Sequence, residues 1–319
     1  MKVFVTGATG FVGRQLTMRC LNDGWTVTAL VRSANPLFSE GLETVVVAGL
    51  ERLGDMSDDL QHQDVVVHCA ARVHVMTDKS AKPLDEFREV NVRGTLDLAQ
   101  QAASAGVGRF VYLSSVKVLG ESTVIGKAFN EEDLPSPQSD YAQSKFEAEV
   151  GLREIATNTG MELVIIRPPL VYGDGVSANF KVMMTALQRG WLLPLGGINN
   201  RRSLVAVSNL VDLIRVCMVH PAAANQTFLV SDGDDLSTTQ LLRQLGLALN
   251  RPARLLPMPA WLLRFSGALC GRSSMAERLC GSLQVDIGKA WRLLGWTPPN
   301  SVFSGLHDAA QGNLRETPH

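Results

Sequence analysis

The sequence predicts an α/β chain, a doubly wound parallel Rossmann sheet followed by a smaller α+β C-terminal domain. Short apolar runs alternate with longer helical patterns through the first half, the order of β-α-β units. Several of those runs, Val65-Val66-Val67 and Leu163-Val164-Ile165-Ile166 among them, are continuous in Val, Leu and Ile, as strands covered on both faces must be. The first run ends in a glycine-rich turn that opens a helix, Gly7-Ala8-Thr9-Gly10-Phe11-Val12-Gly13.

Taken in order, strands are expected at 2–6, 27–31, 44–47, 64–68, 110–114 and 163–167, and helices at 12–23, 83–105 and 141–157. That alternation demands right-handed crossovers between parallel neighbours. After Pro168-Pro169 the rhythm changes to helices at 179–189, 208–219 and 238–249 with strand-like pieces at 203–207 and 227–230. A doubly wound domain over 1–168 and a compact α+β domain over 169–319 follow, with an approximate boundary across which segments can interleave. The tail beyond Asp308 is polar enough to fray. The stretch Trp261-Leu262-Leu263-Arg264-Phe265, with prolines before it, is expected as a buried cap helix; the alternative is an amphipathic patch for a partner or a membrane-bound transferase.

Composition excludes several classes. The 319 residues hold 30 Lys plus Arg against 31 Asp plus Glu, a net charge of -1, so no charge excess points to nucleic acid. At 45% hydrophobic and 19% charged the chain has the balance of a folded globular protein. Its five cysteines, Cys20, Cys69, Cys217, Cys270 and Cys280, form an odd set without metal-ligand spacing and read as thiols of a reducing compartment. Neither a metal site nor a disulfide framework is expected. No secretory leader and no membrane span are read, and the cytoplasm is the expected location.

The glycine turn carries the first chemistry. Gly7 permits the tight turn, Gly10 lets backbone approach a pyrophosphate, and Gly13 lets the helix pack closely. Exposed amides of Thr9 to Gly13 and the positive helix end then hold phosphate. At the end of the second strand, Leu30-Val31-Arg32-Ser33 offers no carboxylate for the adenosine ribose, and Arg32 can pair with a 2′-phosphate. NADP(H) is therefore favoured, with NAD(H) possible.

Tyr141 and Lys145 stand at i and i+4 on an expected helix, one above the other. A neighbouring ammonium lowers a phenol's pKa, so Tyr141 can exchange a proton with a substrate oxygen. Ser115, at the carboxyl end of the fifth strand, can donate to the same oxygen, whereas Ser114 suits a capping or turn role. His68 lies in an apolar run and reads as a hydrogen-bonded structural histidine; Arg72 and His74, just beyond, read as solvated loop residues near a substrate.

These motifs, together with His68-Cys69-Ala70-Ala71, Asn91-Val92-Arg93-Gly94-Thr95 and Arg167-Pro168-Pro169-Leu170-Val171-Tyr172-Gly173, resemble the extended short-chain dehydrogenases, the nucleotide-sugar epimerase/dehydratase family. The resemblance spans almost the whole chain. It implies Ser115, Tyr141 and Lys145 as catalytic residues, Asn91 as a support of helix geometry, and Ala70, Ala71 and Pro168 around the nicotinamide ribose and carboxamide. It also implies Leu50 near the adenine, although Ala48-Gly49-Leu50 stands where many members carry Gly-Asp-Leu. Ser115, Lys117, Asn179 with Phe180, and Arg202 match substrate-binding positions, with Asn179, Phe180 and Arg202 at those that hold a sugar nucleotide's diphosphate. The late Gly281-Ser282-Leu283 and Leu294-Gly295-Trp296 resemble bacterial 4-epimerases and 4-ketoreductases of surface-polysaccharide pathways. The family's dehydratases carry an Asp-Glu pair at the serine site; Val116-Lys117 does not, which disfavours dehydration.

Exchangeable NADPH suits reduction, so the expected reaction leans to a 4-ketoreductase acting on a UDP-4-keto-6-deoxy-N-acetylhexosamine. The alternative is a UDP-glucose or UDP-N-acetylglucosamine 4-epimerase with tightly bound NAD. A non-catalytic dinucleotide sensor stands further off, since it has no need of Ser115, Tyr141 and Lys145. The resemblance also implies a homodimer, paired through the helices at 83–105 and 141–157.

Overall fold

The computed structural model describes residues 1–33, 42–73, 83–176, 179–271 and 273–316. Its first half runs β1 (Lys2–Thr6), α1 (Phe11–Asn22), β2 (Thr26–Val31), β3 (Glu43–Val46), α2 (Ser57–Leu60) and β4 (Val65–His68). It continues through α3 (Pro83–Arg88), α4 (Gly94–Ser104), β5 (Arg109–Leu113), α5 (Asp140–Thr159) and β6 (Glu162–Arg167). Next come β7 (Leu170–Tyr172), α6 (Asn179–Gln188), β8 (Leu192–Leu193), β9 (Leu204–Ala206), α7 (Val207–Val219) and β10 (Thr227–Leu229). The chain closes with α8 (Thr238–Ala248), β11 (Arg254–Leu255), α9 (Ala260–Leu269), α10 (Ser273–Cys280), α11 (Gly288–Leu294) and α12 (Val302–Glu316).

Seven strands form one sheet in the order β10-β6-β5-β4-β1-β2-β3, every pair parallel. The order turns back at β1 and β4, so the loops that follow those two strands diverge and leave a crevice at the carboxyl edge. Leu210, Leu213 and Ile214 of α7 pack with α1 on one face, and Leu98, Ala99 and Leu152 of α4 and α5 cover the other. Burial on both faces is what the unbroken apolar strands require. The β10 edge pairs Thr227 with Ile165, so a segment from beyond residue 169 completes the sheet. A separate core over α6, α8 and α12, with Phe180, Leu242 and Leu306, fills the second half.

Several expectations need amendment. The single helix expected over 83–105 is broken by a π-helical turn at Glu89–Arg93, centred on buried Asn91. The tail expected to fray beyond Asp308 is helical to Glu316, because Leu306, Ala309 and Ala310 are fully buried and Asn313 nearly so. The helix at 260–269 has no fully buried residue, although Ala260 and Leu263 rest on the second core. Among the described residues no helix is long and apolar enough to cross a membrane, and all five cysteines are free.

His68 closes β4 in full burial, its Nδ1 against Thr6 Oγ1 at 2.8 Å and its Nε2 against Thr95 Oγ1 at 2.9 Å. Both ring nitrogens are thus taken by protein hydroxyls, and burial holds its pKa down at about 3. Below the ordinary value of 6.5 the unfolded chain binds a proton that the folded chain refuses, so stability falls as pH drops from 6.5 to about 3. Urea denaturation across that window is expected to show this loss approaching about 1.4 kcal/mol per pH unit from this one group. His68→Gln is expected to flatten that limb; an unchanged slope contradicts the assignment.

Candidate active site at the carboxyl edge of the sheet

The glycine turn is held by its own backbone. Gly7 takes φ +67, a conformation that a side chain strains, and Gly10 N–H donates to Gly7 O at 2.8 Å. A Cβ on Gly13 would stand 2.2 Å from Gly7 O, so only glycine lets α1 approach its own turn this closely. No side chain caps Gly10, which leaves the first amides of α1 facing outward at a positive helix end. Thr9 and Gly10 are exposed there, with Phe11 and Val12 half-buried. The loop after β4 lies against this turn: Ala70 N–H donates to Thr6 Oγ1 at 3.2 Å. Such a cradle of backbone donors, with no carboxylate among Gly7 to Gly13, fits a dinucleotide diphosphate.

Asn91 joins three elements. Its Oδ1 accepts from Arg72 N–H at 2.8 Å, and its Nδ2 donates to Arg72 O at 3.0 Å and to Ser144 Oγ at 3.0 Å. Ser144 Oγ in turn donates to Tyr141 O at 2.8 Å. The π turn therefore sets the post-β4 loop, with Ala70 and Ala71, against the first turns of α5. Leu50 is buried beside Gly94, where a Cβ would come within 2.5 Å of Leu50 O.

Helix α5 begins with Ser139 Oγ accepting from Ala142 N–H and ends at Gly160 with φ +77. Tyr141 sits in its first turn with its ring 6.2 Å from that of Phe87, edge-on. Arg72 lies over the other ring, 5.6 Å from the Phe87 centroid, and pairs with Glu86 at 2.7 Å. One turn on, Lys145 is 2% exposed, donates from Nζ to Leu113 O at 2.8 Å and lies 4.5 Å over the Tyr112 ring. Burial lowers the Lys145 pKa to about 8, with Cys69 and Glu149 pushing it back up, and burial raises that of Tyr141 to about 12.

Ser115 is nearly buried at the end of β5, where its Oγ accepts from Lys117 N–H at 3.3 Å and so caps the short 3₁₀ turn Val116–Val118. The hydroxyl keeps its proton to donate elsewhere. Pro168 O accepts from Val116 N–H at 3.0 Å, which brings Pro168 to the same turn. Lys117 pairs with Glu121 at 3.0 Å, and Ser139 Oγ donates to Glu121 at 3.3 Å. Arg202 donates to the carbonyls of Arg278 and Gly281 at 2.8 and 3.2 Å, within the electrostatic reach of Glu121.

Other expected residues stand apart. Arg32 is an exposed strand-end residue, followed by residues outside the description. Phe180 is 1% exposed and stacks on Tyr172 at 5.6 Å in the second core, with no solvent-facing surface to offer a ligand; the side chain of its neighbour Asn179 lies outside the described residues. His74 lies outside them too. Among the described residues no group of His, Cys, Asp or Glu is placed to hold a metal ion.

The sequence reading passed over Glu149. It lies 1% exposed on α5, one turn beyond Lys145, and accepts from Ser114 Oγ at 2.5 Å and from Arg167 Nε and Nη2 at 3.0 and 2.5 Å. Its signal was present as the next i+4 step of the Tyr141, Lys145 stripe. Removing one member of a buried pair leaves the other charge uncompensated. Glu149→Ala is expected to cost about 3–5 kcal/mol in urea denaturation, with the Glu149→Leu, Arg167→Met double variant recovering most of it. A loss from Glu149→Ala indistinguishable from that of an exposed substitution contradicts this.

Comparison with known proteins agrees with this geometry. Residues 3–231 match the NAD dependent epimerase/dehydratase family. A Vibrio cholerae protein described as UDP-glucose 4-epimerase is 47% identical over 315 residues, covering 98% of this chain and 95% of that one. Two solved structures share the fold over 99% of both chains. One is the UDP-glucose 4-epimerase of Thermotoga maritima with UDP-glucose, TM-score 0.80 at 21% identity. The other is the UDP-glucuronic acid 4-epimerase of Bacillus cereus with NAD, TM-score 0.80 at 20% identity. The chain belongs to the NAD dependent epimerase/dehydratase family, the extended short-chain dehydrogenases.

Proposed function

We propose that this enzyme inverts the configuration at C4 of a UDP-linked hexose, using a nicotinamide dinucleotide that stays bound. The observation that supports this reading is the stripe of α5, which carries Tyr141 and, one turn on, Lys145, whose Nζ donates to Leu113 O two residues before Ser115, at the carboxyl edge where the uncapped glycine turn also lies. Near-complete alignment with the 47% identical Vibrio cholerae protein supports the 4-epimerase over the ketoreductase toward which sequence reasoning leaned. Nothing in these comparisons supports the expected preference for NADP(H), and the family description and the Bacillus cereus complex favour NAD.

In this reading the amides of Gly7 to Gly13 hold the diphosphate, Leu50 borders the adenine, and Ala70, Ala71, Asn91 and Pro168 shape the nicotinamide side. When bound, the nicotinamide supplies reversible hydride acceptance at C4. Tyr141 Oη takes the C4 hydroxyl proton and later returns it. Burial alone raises this phenol to about 12, so its anion needs a cation, and Lys145 one turn away supplies it. Leu113 O keeps the ammonium from swinging to solvent, and Ser115 Oγ donates to the reacting oxygen. Lys117, Asn179 and Arg202 hold the UDP-sugar, the last by exchanging carbonyl partners for phosphate oxygens. Residues 1–168 with the β10 edge carry the dinucleotide, and most of 169–319 carries the sugar nucleotide. Two copies pair through α4 and α5, and the free thiols suit a reducing cytoplasm.

A second reading keeps one supporting observation, the absence of an acid at the end of β2 with Arg32 in its place. It is reduction of a UDP-4-keto-6-deoxy-N-acetylhexosamine with exchangeable NADPH. Purified protein incubated with UDP-glucose and with UDP-N-acetylglucosamine is expected to yield the C4 epimer without added cofactor, while NADPH consumption with the 4-keto sugar selects the second reading. Tyr141→Phe is expected to lower kcat by roughly 10²–10⁴-fold while bound dinucleotide stays near the wild-type amount. Retained turnover in that variant removes Tyr141 from the proton path.

A further inference from the structure

Outside the crevice, the most unusual surface lies on α9. Trp261, Phe265 and Leu269 stand at i, i+4 and i+8, one stripe of a helix, and are 68%, 59% and 74% exposed. The start of α9 adjoins the small sheet of β8 and β11, since Pro259, just before α9, bridges to Gly197 and Arg254 pairs with Leu192. There Trp191, Leu192 and Leu256 are 52%, 59% and 47% exposed. Apolar side chains exposed in isolation are ordinary, but three large ones on one helix stripe, with three more on or flanking the neighbouring small sheet, mark a contact surface.

Charge identifies the occupant. The chain as a whole is balanced at -1, yet residues 236–276 contain Arg243, Arg251, Arg254, Arg264 and Arg272 and no Asp or Glu. Arg251 and Arg254 are exposed beside the patch, and Arg189 lies over the Trp191 ring at 5.5 Å. Arg264 pairs with Glu277 of α10 at 3.0 Å. A protein partner or a second copy gives no reason to clear every acid from 41 consecutive residues. Anionic lipid headgroups do, since arginines around an aromatic and leucine face satisfy both the phosphate layer and the acyl boundary.

We propose that α9, with the adjoining β8–β11 edge, rests on an anionic membrane surface, inserting Trp261, Phe265 and Leu269 at headgroup depth while the chain stays peripheral. The contact is independent of turnover on a free UDP-sugar, because no residue of the patch belongs to the proposed active site.

The full chain should co-sediment with vesicles of phosphatidylcholine containing about 30% phosphatidylglycerol and not with pure phosphatidylcholine, and salt should weaken the binding. The Trp261→Ser, Phe265→Ser double variant and the Arg251→Glu, Arg254→Glu double variant are each expected to bind roughly ten-fold or more weakly, with thermal midpoint and turnover unchanged. Absence of vesicle binding by the wild-type chain overturns the proposal. So does sedimentation velocity showing that the aromatic variant alone lowers the oligomeric state, which makes the stripe an interface between copies.

Discussion

Glu149 is the group on which the carboxyl edge depends. A carboxylate with almost no solvent must be met by donors, and it has three: one from Ser114 at the end of β5 and two from Arg167 at the end of β6. Those bonds clamp α5 across two adjacent strands. The same helix face carries Lys145 and Tyr141 at four-residue steps toward its start, so their approach to the sheet follows from the clamp. A helix slipped by one residue turns that face by about 100°, which takes the ammonium off Leu113 O and the Tyr141 ring off Phe87. Specificity of placement, rather than net stability, is what such a buried pair contributes.

The opposite wall is built from backbone. Gly7, Gly13 and Gly94 sit where a Cβ would strike a main-chain atom, so the turn after β1, the start of α1 and the 3₁₀ turn after β3 close to distances that side chains forbid. Asn91 links the walls, because its amide bonds both the loop after β4 and Ser144 on α5. A regular helix through this region would carry Asn91 off that line. The π turn at Glu89–Arg93 inserts the needed residue and keeps its side chain inward.

Most of the sheet was legible because its strands are unbroken β-branched runs, and their ends fell within a residue of the structure. The glycine turn and the helix that carries Tyr141 and Lys145 were legible because a tight turn needs glycine at fixed positions and an i, i+4 pair shares one helix face. What escaped depended on tertiary partners. The π turn has no local signature beyond Asn91, and Glu149 became informative only once Arg167 and Ser114 arrived from two other strands. The tail from Asp308 reads as polar, yet Ala309, Ala310 and Asn313 form a buried face that only the second core explains. On α9 the error ran the other way: Trp261 and Phe265 resemble core residues, and solvent exposure is a property no composition reveals.

In the proposed epimerisation the hydrogen on C4 leaves and returns within one site while the proton passes through Tyr141. UDP-glucose carrying deuterium at C4, incubated in ordinary water, tests it most directly. The expected result is a C4-epimerised product that retains the deuterium at C4, without added dinucleotide. Epimerised product with the label washed into solvent would contradict it.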